Sequence, residues 1–174
     1  LVMKEIYFAG GCFWGTEHYF KQIRGIISTV VGYANGNIPA PTYEEVYTDR
    51  TGYAECVKIE YDPEVIDLGF LTELFFRSID PTSLNRQGND CGTRYRTGIY
   101  YTDNLDLGTI REVYNTIEHT IGEPLAVELE PLRNFYPAEE YHQDYLDKNP
   151  NGYCHLPYEL MIFAREANKE QENR

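Results

Sequence analysis

The sequence predicts an α+β fold, a two-layer sandwich with a ferredoxin-like split βαβ core and a mixed sheet. Three observations carry that expectation. β-prone runs and amphipathic stretches follow one another in the order β-α-β, β-α-β, then α-β, and the first six elements match the split βαβ pattern. Each amphipathic stretch has one apolar stripe, which needs the apolar face of a sheet to cover it. The 174 residues suffice for one core, so the chain reads as a single domain, 1–174, with a polar tail from about 166.

Residues 4–9 (KEIYFA) form a short apolar strand. Gly10-Gly11 breaks it, and a helix follows from about Phe13 to Gln22. Residues 26–34 (IISTVVGYA) are β-branched and give a second strand, and 35–42 (NGNIPAPT) form a loop by their Gly and Pro content. Residues 54–61 (AECVKIEY) alternate. Glu55, Val57, Ile59 and Tyr61 therefore share one face, and Cys56, Lys58 and Glu60 the other. Asp67 caps a helix with the stripe Leu71, Leu74 and Phe75. Residues 98–102 (GIYYT) give another strand. Asp103 or Asn104 then starts a helix that repeats Ile110, Val113, Tyr114 and Ile117 at i, i+3, i+4 and i+7. Residues 125–131 (LAVELEP) are the last strand. Two segments stay irregular. One is 80–97, of a length that compact domains keep for function or disorder; the other is the coil-rich C-terminal stretch from about 148 to 158.

A formal net charge of −13 argues against nucleic acid or an anionic membrane as the main partner, since both reward positive charge. No apolar run is long enough to span a membrane, and no basic start followed by an apolar stretch marks an export signal. The four cysteines, Cys12, Cys56, Cys91 and Cys154, form no CxxC pair. The chain is larger than the small disulfide scaffolds, so a reducing, cytoplasmic setting is expected, with each thiol either buried and inert or catalytic.

Cys12 stands in Gly10-Gly11-Cys12-Phe13-Trp14-Gly15, between a strand and a helix. A helix N-terminus favours thiolate, so a lowered pKa is expected there. Phe13 and Trp14 place aromatic surface beside the sulfur, which suits a small apolar group such as a methyl. Taken alone, Cys12 reads equally well as a buried core thiol. Glu55 adds to the case, because a carboxyl on an apolar strand face has a raised pKa and can serve as a general acid. Tyr43 and Tyr95 lie in or beside irregular segments, where a phenol can donate to a polar oxygen, and Asp90 shares a loop with Tyr95. Cys154 lies among turn residues, in a segment read as mobile enough to reach a reactive thiol and exchange. His142, three residues after Glu139, has one spacing found in carboxylate metal sites, but such sites need several. It is read as a structural hydrogen bonder, and no metal site is expected.

An ordered set of blocks resembles the A-type peptide methionine sulfoxide reductases. Gly11-Cys12-Phe13-Trp14-Gly15 is similar to that family's nucleophile motif. Pro41-Thr42-Tyr43-Glu44-Glu45-Val46, Arg50-Thr51-Gly52-Tyr53-Ala54-Glu55 and Asp80-Pro81-Thr82 follow in order. So do Asn85-Arg86-Gln87-Gly88-Asn89-Asp90, Gly92-Thr93-Arg94-Tyr95-Arg96 and Ala138-Glu139-Glu140-Tyr141-His142-Gln143. The resemblance covers roughly residues 4 to 156.

The resemblance implies roles. Cys12 attacks the sulfoxide sulfur of methionine S-sulfoxide, free or peptide-bound, and becomes a sulfenic acid. Glu55 protonates the oxygen, Tyr43 and Tyr95 hydrogen-bond it, Phe13 and Trp14 hold the methyl group, and Asp90 orders the site. Cys154 resolves the sulfenic acid as a disulfide, and thioredoxin or another dithiol restores the thiols, with no bound cofactor. Oxidised proteins, peptides and free methionine sulfoxide are the expected substrates. Tyr53 and Cys56 depart from residues common in the family, and His155-Leu156-Pro157 follows Cys154 where many members have glycines. That run is more like the join to a B-type domain; none follows, so reduction of the R epimer is not expected. A thiol peroxidase and a non-catalytic binding module are the competing classes. Peroxide consumption without sulfoxide reduction distinguishes the first, and an ordinary thiol pKa the second.

Overall fold

The computed structural model describes residues 2–168. The chain runs through β1 (Lys4–Gly10), α1 (Phe13–Lys21), β2 (Ile26–Ala34), α2 (Tyr43–Tyr47), β3 (Ala54–Tyr61), α3 (Leu68–Arg77) and a small hairpin, β4 (Arg86–Gln87) and β5 (Asp90–Cys91). It continues through β6 (Thr97–Tyr101), α4 (Leu107–Ile121), β7 (Glu128–Pro131), β8 (Phe135–Pro137), α5 (Tyr145–Lys148) and α6 (Tyr158–Glu166). Among the described residues, no helix is long and apolar enough to cross a membrane.

The main sheet has the order β7-β6-β1-β3-β2-β8. Its four inner strands, β6-β1-β3-β2, are antiparallel neighbours. They are two interleaved split βαβ units: β3 separates β1 from β2, and β1 separates β3 from β6. The ferredoxin-like expectation is thereby met. β7 adds in parallel beside β6 and β8 adds antiparallel beside β2, which makes the sheet mixed.

Period-two alternation explains why the central strands are buried on both faces. Ile6, Phe8, Val57, Ile59 and Ile99 point to the helical layer, where Phe8 lies between Phe20 of α1 and Phe75 of α3 at 5.0 and 4.6 Å. Burying such a ring contributes about 1.5–3 kcal/mol. Tyr7, Ala9, Ala34, Ala54, Cys56 and Tyr100 form a thinner cluster on the opposite face, closed by Leu132 after β7 and Phe135 of β8. The alternation of β3 therefore separates Glu55 from Cys56 as expected.

Asp67 caps α3, its side chain accepting from the Phe70 N–H at 2.8 Å. Asp103 caps a 3-10 turn over Asn104–Asp106 instead of α4 itself, so that helix begins at Leu107. Its stripe packs as expected, with Ile110 buried and Val113, Tyr114 and Ile117 against the core. The strand expected over 125–131 is shorter, because the Ala126 N–H goes to Pro81 O at 2.7 Å and pairing with β6 starts at Glu128. The irregular segment 80–97 holds the β4–β5 hairpin and a 3-10 turn at Thr93–Tyr95. The elements α2, β8, α5 and α6 were not anticipated. The polar tail expected from about 166 lies largely outside the described residues, and Ala167 just inside them is buried in the core.

Candidate active site

Cys12 occupies the N-cap position of α1, directly after the turn made by Gly10 and Gly11 at the end of β1. Gly11 has φ +93°, a conformation that suits glycine and lets the chain swing from strand to helix in two residues. The thiol is buried, with 6% of its residue surface exposed. The expected lowering of its pKa is not found. Burial pushes the Cys12 thiol well above its ordinary value, and the neighbouring Glu55 raises it further. The backbone N–H groups of Trp14 and Gly15 act in the expected direction, toward thiolate, but they are outweighed. Substrate-free Cys12 is a protonated thiol at neutral pH.

Glu55 lies in β3 opposite Tyr33 of β2, on the face that carries the core. Its carboxyl is 1% exposed and accepts the Phe13 backbone N–H at 3.1 Å. Burial pushes its pKa up to about 8, against the lowering effects of the Phe13 N–H and of Arg94. A neutral carboxylic acid therefore sits beside the thiol at pH 7, the state a general acid needs.

Both tyrosines singled out in the sequence sit within the field of this pair. Tyr43 is the first residue of α2, placed by a capping box between Thr42 and Glu45. Burial pushes its pKa up to about 12, with Glu55 and Cys12 adding to the rise. Tyr95 ends the 3-10 turn; burial and then Glu55 raise its pKa, and Cys12 contributes. Both phenols remain protonated donors. Arg94 anchors this turn through Asp49 at 2.5 Å and lies over the rings of Tyr47 and Tyr95 at 4.2 and 4.4 Å.

The aromatic residues after Cys12 divide their work. Phe13 is buried beside Tyr33 and His142. Trp14 stacks flat on Tyr145 at 3.7 Å and donates its indole N–H to His142 Nδ1 at 2.9 Å. His142 thus acts as the hydrogen bonder the sequence suggested, and its ring also faces Tyr43 at 4.5 Å. Glu139 draws the two sides together, accepting from the Tyr33 hydroxyl at 2.8 Å and the Tyr43 backbone N–H at 2.9 Å. Burial works to raise the Glu139 pKa, but these donors bring it below the ordinary value. Among the described residues, no cluster of three or more His, Cys, Asp or Glu side chains could hold a metal.

Asp90, at the start of β5, accepts from the Tyr153 hydroxyl at 3.0 Å, and its charge reaches both Cys12 and Glu55. Cys154 is half-buried against the core, with its sulfur above Gly15. The segment around it was expected to be mobile. It has no regular secondary structure, yet it is tied down by Tyr153 on Asp90 and by His155 on Gly10 O, at 3.1 Å. The eight side chains singled out in the sequence all lie at this end of the helical layer or on the loops around it. Cys56 is buried on the opposite sheet face and Cys91 is exposed. Sequence reasoning missed Arg94 and Tyr153, each next to a residue it named, and weighed Glu139 only as a metal ligand, because their partners lie 45 to 106 positions away. A groove of 670 Å³ between α3 and α4, lined by Phe70, Phe76, Val113 and Ile117, contains no thiol and none of these residues.

Known proteins resemble this chain over most of its length. A family model described as peptide methionine sulfoxide reductase matches residues 4–174. A Clostridium acetobutylicum protein named peptide methionine sulfoxide reductase MsrA is 57% identical over 159 residues, covering 91% of this chain and 98% of that protein. Its Mycoplasma genitalium namesake is 52% identical, covering 90% and 100%. Reduced Mxr1 from Saccharomyces cerevisiae superposes with a TM-score of 0.83 at 43% identity, covering 87% of this chain and 88% of that one. Mxr1 in complex with Trx2 superposes at 0.60 with 33% identity, covering 82% and 84%.

Proposed function

The chain belongs to the peptide methionine sulfoxide reductase family, and we propose that it reduces the S epimer of methionine sulfoxide, free or peptide-bound, through a sulfenic acid on Cys12. It is a thiol-dependent oxidoreductase acting on methionine sulfoxide, recycled by thioredoxin. The observation that carries the residue assignment is the neutral Glu55 carboxyl held at 3.1 Å by the N–H of the residue after the thiol.

In this mechanism the sulfoxide methyl lies against Phe13 and Trp14, and the oxygen accepts from Tyr43 and Tyr95. Glu55 transfers its proton to that oxygen, which makes the sulfur electrophilic. The sulfur of Cys12 attacks, the thiol proton returns to the Glu55 carboxylate, and the hydroxyl passes to Cys12 as methionine leaves. The balance is one thiol and one sulfoxide giving one sulfenic acid and one thioether. Cys154 displaces the hydroxyl as water, forming the Cys12–Cys154 disulfide, and a thioredoxin dithiol reduces it. The raised Cys12 pKa fits this order of events, because the thiol gives up its proton only once Glu55, having given its own to the oxygen, can accept it.

Asp90 orients the substrate together with Tyr153, whose hydroxyl it already binds. Residues 1–174 constitute one reductase domain in this reading, and a reducing, cytoplasmic location suits a chain of this size whose chemistry starts from a free thiol. The test is turnover of both epimers of an N-blocked methionine sulfoxide with dithiothreitol, by this protein and by C12S. Consumption of the S epimer alone, abolished in C12S, is expected. Substantial turnover by C12S removes Cys12 as nucleophile, and peroxide consumption without sulfoxide reduction favours a peroxidase.

A further inference from the structure

We propose that His155 is a positioning residue for the resolving step, a latch that seats the Cys154 thiol against the Cys12 turn through its hydrogen bond to Gly10 O. The inference rests on the reading of Cys154 as the resolving thiol. Residues 153–156 lie outside any helix or strand, so no helix or sheet ladder holds Cys154 in place.

The His155 ring reaches back 145 positions to the turn before the nucleophile, with Nε2 at 3.1 Å from Gly10 O. A carbonyl only accepts, so Nε2 carries the hydrogen. Burial pushes the imidazole pKa down, against Asp90 and the Gly10 carbonyl, which keeps the ring neutral and fixes that tautomer. Nδ1 is then a bare lone pair, and it is buried with no partner. The ring is therefore held at one nitrogen, by the bond to Gly10 O.

The slot it fills exists because glycine stands at two positions flanking the start of α1, Gly11 in the turn before it and Gly15 in its first turn. A Cβ on Gly11 would come within 3.2 Å of His155 Nε2. A Cβ on Gly15 would meet His155 Nδ1 at 2.5 Å, His155 Cε1 at 2.9 Å and Cys154 Sγ at 3.2 Å. Imidazole and resolving thiol therefore rest on the same bare Cα. The N–H of Gly15 is also one of the two that favour thiolate at Cys12. One residue thus touches both sulfurs' surroundings, and His155 pins the second sulfur there. With Cys154 seated, its S–H and the Cys12 S–O bond break, the S–S bond forms, and the hydroxyl leaves with the thiol proton as water.

The test separates the two chemical steps in full-length reduced protein mixed with methionine sulfoxide and no external reductant. Methionine release reports attack by Cys12. Mass spectrometry of alkylated peptides reports the Cys12–Cys154 disulfide, and dimedone traps sulfenic acid that waits. H155A is expected to release methionine at the wild-type rate but to form the disulfide on the order of 10²-fold more slowly, as for a misplaced reacting group. H155Q, whose Nε2 can still donate to Gly10 O, is expected to recover most of that loss. H155F fills the slot without a donor and replaces H155A if the alanine variant folds poorly. An unchanged disulfide rate in H155A or H155F overturns the proposal, as does equal slowing of both steps or a failure of H155Q to recover. Wild-type protein that forms no Cys12–Cys154 disulfide would instead refute the role of Cys154.

Discussion

Phe13 and Glu55 meet through one hydrogen bond, the Phe13 backbone N–H donating to Glu55 Oε1 at 3.1 Å. It fixes the acid relative to the nucleophile through a rigid helix start, with no side-chain torsion of Phe13 involved. Replacing Glu55 by Ala or Gln removes the transferable proton, although Gln keeps an acceptor for that N–H. Both variants are expected to lower the single-turnover rate of methionine formation about 10²–10⁴-fold. An E55Q rate near wild type would mean that holding Phe13, and not proton transfer, is what Glu55 does.

Glu55 also shapes the reactivity of the free enzyme. Burial and Glu55 keep the Cys12 pKa well above 9.0, in that order. Alkylation of Cys12 by iodoacetamide, followed against pH, should therefore have its midpoint above 9.0, and E55Q should move the midpoint down by removing a like charge. A wild-type midpoint at or below the ordinary thiol range would contradict the buried, protonated ground state.

Glu55 also makes stability depend on pH. Its folded pKa is about 8 and its ordinary value 4.5, so between these the folded chain binds more protons than the unfolded one. Stability is then full below about 4.5 and falls as pH rises toward 8. The loss is on the order of a few kcal/mol by pH 8, since each tenfold change in proton affinity is about 1.4 kcal/mol. E55Q should lack this contribution and unfold at a higher temperature than wild type at pH 8, with the difference shrinking toward pH 4.5. Glu17, pushed up to about 7 by burial, titrates in both proteins and cancels in the comparison. A pH-independent difference between the two melting temperatures would refute the assignment.

Much of the site was legible because its parts are local. Alternation in AECVKIEY sends Glu55 toward the core and Cys56 away, and Gly10-Gly11 before an amphipathic stretch puts Cys12 at a helix start. The direction of the Cys12 pKa was not legible, because it depends on burial assembled from distant chain. Glu55 is 42 positions from the Phe13 N–H it binds, and the segment carrying His155 returns from the C-terminal side. The contacts of the Cys154 segment were not legible for the same reason, since turn residues report local preference and not the anchors at Asp90 and Gly10. α2 could have been found, as Thr42 and Glu45 carry the capping-box spacing. α6 starts directly after Pro157 and buries only Met161 and Ala164 within it, too thin a stripe to stand out.

Trp14 is held on two sides, stacked on Tyr145 and hydrogen-bonded to His142. If its face is the wall for the substrate methyl, freeing it should weaken binding more than chemistry. H142F removes the acceptor at similar volume and costs a hydrogen bond worth about 1 kcal/mol. We expect KM for the sulfoxide to rise about 5- to 10-fold with kcat within about twofold. A fall in kcat at constant KM would instead place His142 in the chemical step.

Cys154 can be separated from the other two spare thiols by counting equivalents. In C154S, Cys12 can still attack once, so one equivalent of methionine per enzyme is expected in a rapid burst, followed by no thioredoxin-driven turnover. Cys56 is buried on the far face of the sheet, and burial raises its pKa, so C56S should cycle normally. Cys91 is exposed on the β4–β5 hairpin, and C91S should cycle normally too. The decisive case is C154S with thioredoxin present at high concentration. Continued turnover there, lost only on adding C91S, would identify Cys91 as the resolving thiol; continued turnover in the double variant would mean that thioredoxin attacks the Cys12 sulfenic acid directly.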